Sequence, residues 1–84
     1  MYVEFLGIPR ARTGFDELEV EAETLGDLLL ALTARFPALG DLMPAGALHP
    51  SIAVSLNCDV FVTDPATPLA EDDRILILSS DAGG

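Results

Sequence analysis

The sequence predicts a single α+β domain in which a mixed β-sheet of four to five strands carries one main helix on one face. Two segments that alternate apolar and polar residues precede a segment with helical spacing, and three further strand-like segments follow it. The predicted element order is therefore ββαβββ. Because one helix cannot cover both faces of a sheet, we expect one face to stay open.

The two strands before the helix are predicted from alternation. Residues 1–6 (MYVEFL) are β-prone, and Gly7 and Pro9 close the segment. Residues 16–23 (DELEVEAE) alternate strictly, which is typical of a half-buried strand. One side of that strand is predicted to carry Leu18, Val20 and Ala22, and the other Glu17, Glu19, Glu21 and Glu23.

Residues 24–37 switch to helical spacing. Thr24 is a predicted N-cap with Asp27 three residues later, a pattern close to a capping box. Pro37 is expected to end the helix. The apolar stripe that would face the sheet consists of Leu25, Leu28, Leu29, Leu32 and Phe36.

The second half of the chain supplies the remaining strands. Residues 38–50 are turn-rich, with one short helical turn expected at 39–43. Strands are predicted in SIAVSL (51–56), in VFVT (60–63) and at residues 74–78. If the first and last strands lie side by side in the middle, the architecture is a β-grasp, as in ubiquitin. We expect this domain to span residues 1–78 and a flexible tail to span 79–84.

Composition excludes several classes of function. Fourteen acidic residues against four arginines give a net charge of -10, which repels nucleic acids and anionic membranes. No leader-like segment or membrane-spanning apolar run is evident, so a cytoplasmic protein is expected. The single cysteine excludes an internal disulfide. The chain has no lysine, so any lysine chemistry must come from a partner.

The predicted order, the helix TLGDLLLAL, the strand IAVSLN, the segment TPLAEDDRILIL and the terminal AGG together resemble the MoaD/ThiS family of sulfur carriers. The similarity runs along the whole chain and is closer to MoaD, the small subunit of molybdopterin synthase. Two departures stand out. Asp72 replaces the usual glycine of the acidic turn, and residues 79–81 (SSD) replace the family's prolines. Without proline, we expect this tail to be floppier.

The resemblance implies that the protein is not an enzyme by itself. A ubiquitin-activating-like adenylyltransferase of the MoeB/ThiF type would use ATP to adenylate the carboxylate of Gly84, and a sulfurtransferase or cysteine desulfurase would supply the sulfur of a thiocarboxylate. Gly83 would help the tail to thread a narrow channel, since it has no side chain. A MoaE-like large subunit would receive the sulfur for molybdenum cofactor synthesis. The carrier itself would bind no cofactor.

A docking surface is expected on the open face beside the tail. If the buried positions of the first and last strands face the helix, alternation turns Leu6, Leu76 and Leu78 outward. Adjacent strands would bring Leu6 and Leu78 together, and exposed apolar patches often mark docking surfaces. The family docks by this region, which suggests Val60 as a further contributor.

The sequence is also compatible with other functions. The carrier could serve thiamine, cysteine or tRNA thiolation, the chain could be a ubiquitin-like modifier joined to targets through Gly84, or it could be a plain binding module. The glutamate row is interpreted as a solvated strand face, with attraction of a basic partner as the alternative. Cys58 is expected to be inert and His49 non-catalytic. The acidic turn at 71–73 offers too few oxygens for a metal.

Overall fold

The computed structural model describes residues 1–80 and contains a five-stranded mixed sheet. Its strand order is β2-β1-β5-β3-β4, in which the central pair β1 and β5 is parallel and the other pairs are antiparallel. The strands are β1 (Tyr2–Phe5), β2 (Glu17–Glu19), β3 (Ile52–Leu56), β4 (Val60–Phe61) and β5 (Arg74–Ser79). The first and last strands are therefore neighbours, which confirms the predicted β-grasp.

The main helix, α2 (Leu25–Arg35), forms where the spacing predicted it. The Thr24 side chain caps its start by accepting a hydrogen bond from the Asp27 backbone N–H at 3.2 Å. The helix ends just before Phe36 and Pro37, as expected before a proline. Its apolar stripe is buried on the sheet at Leu25, Leu28, Leu29 and Leu32, with Phe36 half-buried.

A second helix, α1 (Ile8–Thr13), lies between the first two strands, where the sequence analysis predicted no helix. Pro9 lies in its first turn, where the missing N–H costs no hydrogen bond. Glycines with positive φ flank it, Gly7 at 66° and Gly14 at 73°. The helix is too short for helical periodicity to stand out in the sequence, which explains why it was missed.

Several predicted elements have different bounds in the structure. β2 covers only residues 17–19 of the alternating stretch 16–23, although the Val20 N–H still donates to the Met1 carbonyl oxygen at 3.0 Å. The helical turn predicted at 39–43 is present, because the Met43 N–H donates to the Leu39 carbonyl oxygen at 3.1 Å. Two 3-10 helices, Pro37–Leu39 and Pro44–Gly46, flank it, and each begins at a proline.

The core lies between α2 and one face of the sheet. Val3 and Phe5 of β1 and Ile75 and Ile77 of β5 are at most 1% exposed, so these four side chains face the helix as predicted. The edges of the core are closed by side chains from β2, β3 and the loop between the two 3-10 helices. Within residues 1–80, no helix is long and apolar enough to cross a membrane.

Candidate functional site

The open face of the sheet is the surface that α2 does not cover. The β1–β5 register pairs Phe5 with Ile77, and the Leu6 N–H donates to the Ile77 carbonyl oxygen at 2.9 Å. Leu6 therefore lies beside Leu78, as the alternation predicted. Leu6 is 38% exposed, whereas Leu76 and Leu78 are half-buried. Together these three leucines form an apolar strip along the centre of the open face.

A depression of about 290 Å³ extends this apolar strip toward the β4 edge. It is formed by β3, β4, β5 and the turn that joins β3 to β4. Its lining comprises Ser55, Val60, Phe61, Leu76 and Leu78 with turn residues Cys58 and Asp59. Three of the four leucine and valine positions predicted for docking thus share one concave surface.

Phe61 belongs to this surface, although the sequence did not single it out. The β3–β4 register pairs Phe61 with Ser55, and Ser55 pairs in turn with Leu76 on the open face. Val60 pairs with Leu56, which packs against the core, so alternation places the Val60 side chain on the α2 side of this edge strand, although the residue still borders the depression. Phe61 is 71% exposed and Val60 49%. The alternation within VFVT was the sequence signal that could have placed Phe61 on the open face.

The opposite half of the open face is charged. Glu17 pairs with Glu4, and Tyr2 lies between Glu19 on β2 and Arg74 on β5. Interaction with the neighbouring Glu19 carboxylate raises the pKa of Tyr2 above its usual value. The Arg74 guanidinium lies 5.6 Å from the centre of the Tyr2 ring. The open face is therefore acidic at its β2 edge and apolar at its β4 edge.

The row of four glutamates is only partly a strand face. Glu17 and Glu19 lie on β2, whereas Glu21 and Glu23 follow the end of that strand. All four are exposed. Glu21 also lines two neighbouring depressions beside Met1, about 440 and 420 Å³ in volume. The row thus forms a solvated acidic edge.

The root of the C-terminal tail lies at the end of β5. This strand extends to Ser79, one residue beyond the predicted boundary at 78, so Ser79 belongs to the domain rather than to the tail. Ser79 is 4% exposed, and its Oγ accepts a hydrogen bond from the Ile8 N–H at 2.8 Å. The predicted working residues Gly83 and Gly84 lie outside the described residues, and their role stays a prediction.

Other candidate groups are occupied by local contacts. Asp73 accepts hydrogen bonds from the Ala70 N–H at 2.7 Å and the Asn57 side-chain amide at 2.9 Å, which lowers the pKa of its carboxyl group. Cys58 is exposed in the turn after β3. His49 Nδ1 lies 2.8 Å from Ser51 Oγ. Among residues 1–80, no three His, Cys, Asp or Glu side chains are grouped to hold a metal ion.

The sequence model of the ThiS family matches residues 3–84. The chain belongs to the ThiS family. This confirms the resemblance to the MoaD/ThiS carriers that the sequence motifs indicated. No curated protein sequence matches the chain.

Solved structures share the whole fold of this ThiS-family chain. Small archaeal modifier protein 1 from Methanosarcina acetivorans is 28% identical with a TM-score of 0.79, covering 99% of this chain and 94% of that one. The match to the Amycolatopsis orientalis BexX/CysO complex has 25% identity and a TM-score of 0.80, covering 99% and 98%. The molybdopterin-converting factor complex of subunits 1 and 2 from Helicobacter pylori matches at 24% identity with a TM-score of 0.66, covering 99% and 96%. At 24% identity, the match to the Helicobacter pylori complex shows only that the fold is shared.

Proposed function

We propose that this protein is a sulfur carrier whose C-terminal Gly84 is adenylated and then converted to a thiocarboxylate. The observation that carries this proposal is the extent of the family match, which runs through Gly83 and Gly84. A plain binding module of the same fold would have no need of a glycine pair at that place.

The proposed chemistry starts from a poor electrophile. A carboxylate resists nucleophilic attack because it is negatively charged and stabilised by resonance. Its oxygen attacks the α-phosphorus of ATP and releases pyrophosphate, which leaves an acyl adenylate. Sulfide then attacks the acyl carbon and displaces AMP, giving the thiocarboxylate and a proton. The adenylating partner supplies the ATP chemistry. A sulfurtransferase or cysteine desulfurase supplies the sulfur as a persulfide, from which a thiol reductant releases sulfide, so the carrier needs no cofactor of its own.

The described surface suits such a carrier. The apolar half of the open face offers a docking surface beside the strand that leads into the tail, and Phe61 adds to the proposed contacts of Leu6, Val60, Leu76 and Leu78. The acidic half would attract a basic partner and speed its association. We place these encounters in the cytoplasm, where ATP is available.

We propose a pterin precursor as the recipient of the sulfur. The resemblance to MoaD favours a pterin precursor bound by a MoaE-like large subunit, with this chain as the small subunit of molybdopterin synthase. The similarity to the CysO chain favours a test of other acceptors as well. Because acceptor recognition would lie in the partner, purified acceptor subunits of each pathway should be offered the thiocarboxylate form in parallel.

A second candidate is a ubiquitin-like modifier joined to target lysines through Gly84. The observation in its favour is the similarity to the small archaeal modifier protein 1. The chain has no lysine and therefore cannot form lysine-linked chains of itself, but single attachments need none.

Intact-mass spectrometry distinguishes these candidates. The protein is incubated with ATP, the adenylating enzyme of the same organism and a sulfur source. A carrier gains the mass difference between sulfur and oxygen at its C-terminus, whereas a modifier forms conjugates with other proteins. No change of mass with any adenylating enzyme of that organism would contradict both.

Gly84→Ala provides the matching variant. The new Cβ would obstruct a channel shaped for glycine, so we expect adenylation to slow by at least about tenfold while the melting temperature is unchanged. Gly40→Ala is the control, because it makes the same change at an exposed glycine with helical φ and ψ of -58° and -37°. Wild-type adenylation of Gly84→Ala would contradict the assigned role.

A further inference from the structure

Two serines connect the sheet to the tail, and both are bonded to the domain. The hydroxyl of Ser79 is turned into the domain and accepts the Ile8 N–H at 2.8 Å. Its neighbour is Gly7, where an added Cβ would lie 2.6 Å from the Ser79 Oγ. The absence of a side chain at Gly7 therefore leaves room for this hydroxyl.

Ser80 is attached to a different loop. Its N–H donates to the Ser51 carbonyl oxygen at 2.7 Å, and its hydroxyl donates to the Pro50 carbonyl oxygen at 2.8 Å. These acceptors belong to consecutive residues just before β3. The same loop is held by the Ser51 N–H, which donates to His49 Nδ1 at 3.0 Å. Proline at position 50 fixes φ and further limits the movement of this loop.

The bonds of Ser79 and Ser80 qualify an expectation from the sequence. Where the family carries prolines, this chain was expected to be floppier, since serine leaves φ free. For Ser79 and Ser80 the structure shows an attachment that this expectation left out, because three hydrogen bonds hold these two residues. Asp81 lies outside the described residues.

We propose that Ser80 is a positioning residue that fixes the starting point and direction of the segment leading to Gly84. This inference rests on the function proposed above. A residue fixed before docking loses no conformational freedom when the tail enters a partner, so the partner meets a narrower range of tail paths. Residues 81–84 follow Ser80, so the length of an extended chain limits the reach of the carboxylate from this fixed point to about 14 Å.

The test compares variants at position 80 in pyrophosphate exchange. The probe is the adenylating enzyme of the same organism with ATP and labelled pyrophosphate, and the carrier concentration is varied. Ser80→Gly removes the hydroxyl bond and frees the backbone, so we expect KM for the carrier to rise about 3- to 10-fold. We expect kcat to change less than about twofold, because a saturating partner itself orders the tail.

Two variants separate positioning from a general effect of mutation. Ser80→Thr keeps both donors and should keep KM within about twofold of the wild type. Thr33→Ala on α2 should also leave KM unchanged. It removes a comparable hydrogen bond, from Thr33 Oγ1 to the Leu30 carbonyl oxygen at 3.0 Å, but in an element that does not hold the tail. Melting curves of all variants establish that each is folded at the assay temperature.

A wild-type KM for Ser80→Gly in an active system would overturn the positioning role and leave the proposed function standing. A loss in Ser80→Thr as large as in Ser80→Gly would also overturn it, because the hydroxyl would then be irrelevant. If the wild type is not activated at all, the proposed function fails. Amide hydrogen exchange then still tests the attachment, since a Ser80 N–H that exchanges as fast as an unstructured amide would contradict it.

Discussion

Gly7→Ala should lower the stability of the domain substantially, although Gly7 is exposed. Gly7 has φ of 66° and ψ of -133°, a backbone conformation that favours glycine. A Cβ at this position would lie 2.6 Å from the Ser79 Oγ and 3.2 Å from its Cβ. The Ser79 side chain is buried, so it cannot move aside without breaking its bond to the Ile8 N–H.

The expected cost has two parts. Forcing alanine into this backbone region costs about 1–3 kcal/mol. Displacing the Ser79 hydroxyl sacrifices its hydrogen bond to Ile8, which contributes about 0.5–1.5 kcal/mol. We therefore expect Gly7→Ala to lower the free energy of unfolding by about 3 kcal/mol. For a domain of this size, each kcal/mol corresponds to a shift of about 4–8 °C in melting temperature.

Gly14→Ala is the matched control, because it has the backbone strain without the collision. Gly14 has φ of 73° and ψ of 9°, and nothing lies within 4 Å of an added Cβ. The cost is then the left-handed conformation alone, about 1–2 kcal/mol. Urea unfolding followed by circular dichroism measures both variants under identical conditions.

A double-mutant cycle isolates the collision. Ser79→Ala alone loses the bond to Ile8, but in the Gly7→Ala background it also removes the obstructing oxygen. The losses of unfolding free energy in the two single variants should therefore add up to about 1 kcal/mol more than the loss in the double mutant. Strict additivity, or a loss for Gly7→Ala no larger than for Gly14→Ala, would refute the contact between residue 7 and Ser79.

Two further predictions concern the open face and the acidic turn. Phe61→Ala should weaken binding to the adenylating enzyme about tenfold with unchanged stability, because exposed aromatic side chains often dominate docking. Leu30→Ala on α2, where the leucine is 52% exposed, should leave the dissociation constant unchanged in the same calorimetric titration, and equal losses would contradict the assignment of the docking face. Asp73→Asn should destabilise the protein at pH 7, because the carboxylate accepts bonds from the Ala70 N–H and Asn57. Since these bonds lower the pKa of Asp73 in the folded state, its contribution is present above the unfolded pKa of about 3.9 and is lost as pH falls below it. The difference in unfolding free energy between wild type and Asp73→Asn, measured in urea, should therefore shrink below about pH 4, and a difference independent of pH would argue against this origin.

The sequence predicted the elements whose signals are local and repeated. The apolar stripe of α2 recurs over three turns and begins directly after the N-cap Thr24, so periodicity and capping indicate the same start of the helix. Strand alternation in β1 and β5 likewise identified which leucines leave the core. These patterns repeat often enough to outweigh chance, and their order is compatible with the β-grasp topology that the structure shows.

Elements missed by the sequence depend on contacts between distant residues. The α1 helix has fewer than two turns, and its backbone turns only because Gly7 and Gly14 accept positive φ. The end of β2 at Glu19 is set by its pairing partner, because β1 offers only Tyr2, Val3 and Glu4 as partners in the ladder. Past that point single contacts replace the ladder: Val20 exchanges two hydrogen bonds with Met1, and the Glu23 carbonyl oxygen accepts one from the Leu69 N–H.

Strand β5 joins the proposed docking surface to the start of the tail. Leu76 and Leu78 lie on the open face of the sheet, whereas the side chain of Ser79 is turned into the domain. Ser80 follows directly and is bonded to the loop before β3. A partner that binds Leu78 therefore finds the start of the tail two residues further on, within about 7 Å. We therefore expect docking affinity and tail entry to be separable by mutation, because Phe61→Ala alters the proposed docking surface while Ser80→Gly leaves that surface intact.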